Sequence, residues 1–284
     1  MSFHKSHKNR IKTIGLYLFL TIFGCIFILP LLWMLSTAFK TVEQTNAYPP
    51  VFFPRPITFQ NFTNAFKAAP LGRFIKNSVI ATSLSVIGTL ISASMVAFSF
   101  GRLKWVGRQV FFVILLGTMM IPSQVTMIPV FLIFHKIGWV NTLKPLTFPS
   151  FLCGGTQGAF YVFMLRQFIM TIPRELDEAA TIDGCNYFQI FSQIILPLLK
   201  PALGAVAVFA FMEHWNEFMN ALIYLNDEMK YTLPIGLQYF KLDDIINWNL
   251  LMSASLIALL PCVLMFFFGQ KVFMKGVTLS VGKE

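Results

Sequence analysis

Apolar residues run along this chain in six long blocks, separated by short stretches where charge, proline or glycine collects. Each block approaches the ~20 residues that a helix needs to cross the hydrocarbon of a bilayer. The first runs from Ile14 to Leu35 and the second from about Ile75 to Phe100. The third, 110–134, is interrupted by Pro122 and Pro129. The fourth, 146–165, is the most polar, because Gly154, Gly155, Thr156, Gln157 and Gly158 fall inside it. Small residues let helices approach closely in lipid, and a re-entrant loop is the rival reading there. The fifth and sixth blocks are 202–224 and 250–273. The pattern predicts an all-α, polytopic membrane protein with six transmembrane helices, in a single domain over 1–284.

Two segments between the blocks have a grammar of their own. Residues 40–74 carry Pro49, Pro50, Pro54 and Pro56, a density that forbids a continuous helix and predicts an extended, surface-lying stretch. Residues 171–197 read instead as a hairpin of two short helices. Thr171 is the expected first cap, with Pro173 in the opening turn and Glu175, Asp177 and Glu178 near the positive helix end. Gly184 falls where a left-handed terminator is needed, and Asn186 with Gln189 fits a capping box. Tyr187, Ile190 or Phe191, and Ile194 are expected on one face, and Pro197 and Pro201 return the chain to the membrane. From the residues alone, this hairpin is either a solvated cap on the bundle or a contact surface, where Ala179 and Ala180 admit close approach.

Composition agrees with immersion in lipid. Hydrophobic residues make up 56% of the chain and charged residues 12%, with a mean hydropathy of +0.68. The net charge of +10 does not point to nucleic acid, because the cations sit in short flanks between apolar blocks. Lys5, Lys8, Arg10 and Lys12 precede the first block, and Arg102, Lys104 and Arg108 follow the second. Lys271, Lys275 and Lys283 close the chain, while Asp227, Glu228, Asp243 and Asp244 lie between the last two blocks. This bias puts both termini in the cytoplasm. Ile14 to Leu35 lacks a small-residue cleavage site and is expected to persist as a span. Cys25, Cys153, Cys185 and Cys262 lack paired spacing and read as thiols, with no metal site. The absence of a P-loop, HExxH or GxSxG argues against an enzyme, so any ATP would be hydrolysed by another chain.

Ionisable residues inside spans are functional candidates. On a continuous helix Glu213, Asn216 and Glu217 share one face, at i, i+3 and i+4, with His214 beside them. That face could line a wet pathway for a hydroxyl-rich solute, with Trp215 or Tyr224 as stacking surface. Bonding to neighbouring helices is the alternative. Gln124, between two prolines, is a further pathway candidate, with helix packing as its alternative.

One spacing is diagnostic. Glu178-Ala179-Ala180, three residues, Gly184, nine residues, then Ile194, Leu196 and Pro197 resembles the EAA signature of ABC importer permeases. LSTAFK (35–40), FIKNS (74–78), MMIPSQVTMIPVF from Met119, GWVNTL from Gly138 and RQFIMTIPRELDEAATIDG from Arg166 extend the likeness. WNEF (215–218), YTLPIGL from Tyr231 and the terminal QKVFMKGVTLS complete it, so that it spans most of the chain. In this order the stretches are similar to the shorter of the two dissimilar membrane subunits of carbohydrate-uptake transporters. The only departures within the signature are Cys185 and Asn186, where small residues are more usual.

The resemblance implies that Glu178, Ala179, Ala180, Asp183, Gly184, Ile194, Leu196 and Pro197 form a cytoplasmic hairpin seated in a cleft of an ATP-binding subunit. The tail from Gln270 to Gly282 would be a second contact. Implied partners are a second, dissimilar permease subunit, two ATP-binding subunits carrying ATP and Mg2+, an extracytoplasmic solute-binding protein and membrane lipid. The implied location is the bacterial cytoplasmic membrane, and this chain would bind no cofactor itself. Span interiors almost without Lys or Arg favour a neutral sugar or oligosaccharide over glycerol-3-phosphate or another polar solute. An ion-coupled secondary transporter would need inverted repeats, which the sequence lacks.

Overall fold

The computed structural model describes residues 3–155, 157–241 and 246–281, with side chains described between 12 and 270. Thr156, Asp243, Asp244, Gly282 and Lys283 therefore lie outside the described residues, as do the side chains of Lys5, Lys8, Arg10, Lys271 and Lys275. In chain order the main helices are α1 (Phe3–Ala38), α2 (Gln60–Ala68), α3 (Leu71–Arg102), α4 (Arg108–Thr118), α5 (Ser123–Lys136) and α6 (Gly158–Thr171). They continue with α7 (Glu175–Ile182), α8 (Tyr187–Leu198), α9 (Lys200–Trp215), α10 (Met219–Tyr224) and α11 (Trp248–Val281). No strand occurs among the described residues.

The chain divides into two compact units. The first comprises Met1–Ala69 and Leu237–Ile257. Its α1 runs unbroken through Pro30, and along its Lys12–Ala38 span the most apolar stretch is left uncovered by the chain, only Thr37 and Ala38 at the end being buried. A helix apolar all round and uncovered belongs in lipid. Its C-terminal end is tied down by side chains, because its last carbonyls have no helical partners. Asn61 of α2 donates through Nδ2 to Ala38 O (2.8 Å) and Lys40 O (2.7 Å). Asn249 donates to Asn61 Oδ1 at 3.0 Å, and Ser253 Oγ to Ala38 O at 3.1 Å. Lys40 is buried among these groups, its ammonium 3.8 Å from the Trp33 ring centre, and burial lowers its pKa. The proline-rich stretch is irregular between 46 and 59, as expected. It then departs from expectation by forming α2, whose Asn61 and Ala65 turn inward while Thr63 and Lys67 do not.

The second unit comprises Pro70–Gly236 and Ala258–Glu284 and is organised on α3. One side of α3 is a stripe of small residues, Ala81, Ser85, Gly88, Ser92, Ala93 and Ala97, all buried. Without side-chain bulk, α6 and α9 approach closely. The core between them contains the fully covered Val162, Leu165, Ile169, Ile195, Leu199, Val206 and Ala210. The hydroxyls of the stripe, and the Asn77 amide on the same helix, also serve non-helical backbone. Ser85 Oγ donates to Leu146 O (3.0 Å), Ser92 Oγ to Ser150 O (2.7 Å), and Asn77 Nδ2 to Met229 O and Tyr231 O (3.0 and 2.9 Å). Irregular backbone at membrane depth requires such partners.

Three of the expected spans are interrupted. The third bends by 99° between α4 and α5, where Pro122 removes a donor. The fourth does not run as a helix from 146: single turns cover Lys144–Thr147 and Phe148–Leu152, and α6 begins only at Gly158. Positive φ at Cys153 (54°) and Gly155 (94°) breaks the backbone there. The fifth ends at Trp215 and restarts at Met219, so 202–224 is not continuous. Among the described residues, three helices are long and apolar enough to cross a membrane, and up to five spans result if each bent pair is one.

Candidate functional site

The hairpin is built largely by local rules. Thr171 proves to be the last residue of α6 rather than a cap, and Pro173 precedes α7, whose N-cap is Arg174. Proline keeps Ile172 extended (ψ 132°), so the chain leaves α6 before turning into α7. Glu175, Asp177 and Glu178 occupy the first turn of α7, where the helix dipole favours negative charge. At its other end Gly184 adopts φ +83°, and Cys185 N–H closes back on Ala180 O at 2.9 Å. That closure is the Schellman pattern. Asn186 and Gln189 then form the expected capping box, with reciprocal bonds of 2.8 and 2.9 Å.

The second helix departs from the expected face. Residues Ile190–Ile195 wind as a π-helix, wider than an α-turn, so Ile190, Phe191 and Ile195 all enter the core. Tyr187 stays outside, 69% exposed, as does Phe188 at 69%. Of the signature residues, Glu178, Ala179, Asp183, Gly184 and Pro197 are exposed. Ala180 is buried, and Ile194 and Leu196 are half-buried against the core. The hairpin therefore has a foot embedded in the second unit and a tip facing outward.

Two arginines fix the foot. Arg102, in the last turn of α3, donates through Nη2 to Ile172 O (2.7 Å) and places Nε 3.1 Å from Asp177 Oδ2. Arg166 of α6 donates through Nε to Phe100 O (3.3 Å), with its guanidinium 4.0 Å from the Phe112 ring centre. Each helix end thus supplies a cation to the other's unpaired carbonyls. Burial raises the Asp177 pKa, against the opposing pull of Arg102 and Arg174. A cleft of about 400 Å³ opens beside this ion pair, walled by Phe98, Lys104, Glu178, Thr181 and Tyr187 among others. Sequence reading gives Arg102 only a topological role; a link across residues 102 and 177 has no local signal.

The polar residues of the fifth block do not form a single helical face, because α9 stops at Trp215. Glu213 Oε2 accepts from the Tyr161 hydroxyl at 2.6 Å. Asn216 caps α9, its Nδ2 donating to Met212 O at 2.7 Å. Glu217 accepts from Asn220 N (3.0 Å) and Asn220 Nδ2 (2.9 Å), starting α10. With His214, Ser78, Ser85, Thr232 and the apolar Ala81 and Leu146, Glu217 lines a small cavity of about 10 Å³. Trp215 is 4% exposed, its indole N–H bonded to Ala258 O (3.0 Å) and its ring stacked on Phe211. Tyr224 is buried too, against Phe131 and Phe134. Neither ring has the open face that stacking would need. Gln124 is exposed in the first turn of α5, apart from this group.

Residues 88–279, from the middle of α3 through the hairpin to α11, match the family of binding-protein-dependent transport system inner membrane components. The chain belongs to that family. The permease is 32% identical to the diacetylchitobiose uptake system permease protein DasC of Streptomyces coelicolor, over 90% of this chain and 92% of that one. It is also 32% identical to the arabinooligosaccharides transport system permease protein AraQ of Halalkalibacterium halodurans, covering 89% and 90% of the two chains. Its fold superposes with a TM-score of 0.82, at 23% identity, on a chain of a bacterial ABC transporter that imports the acidic polysaccharide alginate. That match covers 93% of the permease and 97% of the other chain. The permease is thus an all-helical membrane component of an ABC import system.

Proposed function

We propose that the permease is one of two dissimilar membrane subunits of an ATP-driven importer for a neutral sugar or oligosaccharide, with residues 171–197 as its coupling element. The observation that carries this reading is the division of the hairpin into foot and tip. Ile182 (86% exposed), Tyr187 and Phe188 stand out beside exposed Glu178, Asp183 and Gly184. Apolar side chains rimmed by charge mark a protein contact. The occupant is a cleft of an ATP-binding subunit, which holds ATP and Mg2+. Closure of two such subunits pushes the hairpins, and the foot passes that motion into α3 and α6, alternating access between the two membrane faces. Six spans with both termini in the cytoplasm, in a bacterial cytoplasmic membrane, complete the arrangement. A solute-binding protein delivers cargo from the outer side.

Two facts support a neutral sugar. No Lys or Arg occurs in residues 77–101, 123–135, 202–215 or 248–270, so a phosphate or carboxylate would find no counter-charge there. DasC and AraQ are named for oligosaccharides. Gln124, Glu213, Asn216 and Glu217 line the pathway in this reading, and buried Trp215 holds the break between α9 and α10.

The test is the double variant Glu178→Arg, Gly184→Pro. Arginine reverses the tip charge, and proline cannot adopt φ +83°. The variant chain is expected in the membrane at normal level, with the ATP-binding subunits no longer co-purifying. A complex of unchanged composition would rule the coupling role out.

A further inference from the structure

We propose that Arg102 and Asp177 are positioning residues that lock the hairpin to α3, so that the two move as one rigid body during the transport cycle. The inference rests on the hairpin being the coupling element, but it concerns residues outside the signature spacing. A tip that merely touches an ATPase transmits nothing unless its foot is stiffly joined to a span. The polypeptide offers little stiffness there: α6 ends at Thr171, Ile172 is extended, and α7 restarts only at Glu175. A joint of this kind would let α7 swing while α6 stayed still.

Arg102 closes the joint from outside the hairpin. Its side chain is 5% exposed, and its guanidinium holds both sides of the joint, with Nη2 on Ile172 O and Nε facing Asp177 Oδ2. One planar group therefore fastens the end of α3, the end of α6 and the first turn of α7. Only arginine has separate donors in a fixed fork for this. Arg166 adds the reciprocal bond from α6 to Phe100 O, and Gly101 lets α3 approach Ile169 of α6, where a Cβ would lie 3.0 Å from that side chain. The contact at Asp177 is poorly aligned for a hydrogen bond, and Asp177 Oδ1 lacks a partner. Charge attraction in a covered site, rather than one well-formed hydrogen bond, holds α7 in place. Replacing the carboxylate by its amide should therefore free the joint without changing its shape.

The test uses the assembled transporter in lipid nanodiscs, with spin labels at Lys104→Cys, just past α3, and Thr181→Cys, in α7, both exposed positions lining the cleft. In the otherwise unaltered chain, the distance between labels should stay the same when the ATPase subunits are trapped with ATP and vanadate. In Asp177→Asn and Arg102→Ala it should shift and broaden on trapping, with Arg102→Lys intermediate. With solute-binding protein saturated by a mixture of neutral oligosaccharides as the probe, stimulation of ATP hydrolysis should fall by roughly fivefold or more in Asp177→Asn. A label distance that changes on trapping without the substitutions, or one unaffected by Asp177→Asn, overturns the lock. Failure of Asp177→Asn to assemble also overturns it, in favour of a plain stabilising role. Failure of the coupling reading looks different: the ATPase subunits would co-purify despite Glu178→Arg, Gly184→Pro, while the label distance still depended on Asp177.

Discussion

α1 and α3 are both long apolar helices, yet they solve opposite problems. The spanning window of α1 has mean hydropathy 2.5 and is 0% covered by the chain, whereas that of α3 has mean hydropathy 1.9 and is 44% covered. In a water-soluble protein the buried helix would be the more apolar one. Here the order is reversed, because lipid is already an apolar solvent and gives helices no hydrophobic reason to associate. What brings α6 and α9 onto α3 is the fit of small residues, together with hydroxyls and amides that satisfy irregular backbone. Side-chain size and polarity, not hydropathy, distinguish the interior from the lipid face.

Three substitutions and one control probe that contrast, each read as the thermal midpoint of the purified chain in detergent. The largest effect is expected at Gly88, where even a Cβ would sit 2.7 Å from the Phe151 ring. Gly88→Leu should cost about 3 kcal/mol or more through overpacking. Gly24→Leu in α1, where nothing lies within 4 Å, serves as its control and should change little. If both glycines tolerate leucine equally, the contrast fails. Next comes Asn77→Ala, which strands the carbonyls of Met229 and Tyr231 and should cost about 1–3 kcal/mol. Ser92→Ala is the mildest, at about 1 kcal/mol, since it removes the bond to Ser150 O and the one from Cys153 N–H, and a side-chain bond in a membrane is worth about 0.6 kcal/mol. A larger loss at Ser92 than at Asn77 would mean that the 150–153 segment depends on α3 more than the 229–231 segment does.

The same contrast separates what could be read in the sequence from what could not. Gly184, Asn186 and Gln189 act within a few residues of themselves, so the hairpin's turn and second cap were readable from spacing. The family likeness was readable for the same reason, being carried by ordered short stretches. The first cap was misplaced because Thr171 suits a helix start in isolation, while the packing of α6 through Ile169 extends that helix over it. The break after Trp215 was hidden because Asn216, Glu217 and Asn220 also fit an unbroken polar face; only their mutual bonds reveal a cap and a restart. Trp215 looked like stacking surface until Ala258, distant in sequence, took up its indole N–H. Arg102 reads only as a flanking cation, with no sign of this link, since its partners Ile172 and Asp177 lie some seventy residues away.

The unbroken length of α1 bears on the surrounding lipid. Its span of 27 residues, at about 1.5 Å rise each, makes a rod of roughly 40 Å. The oily slab it crosses is only about 30 Å thick. Such a rod has to lean, or the bilayer must thicken around it. Acyl-chain length is therefore a physical input to this subunit, felt first through α1.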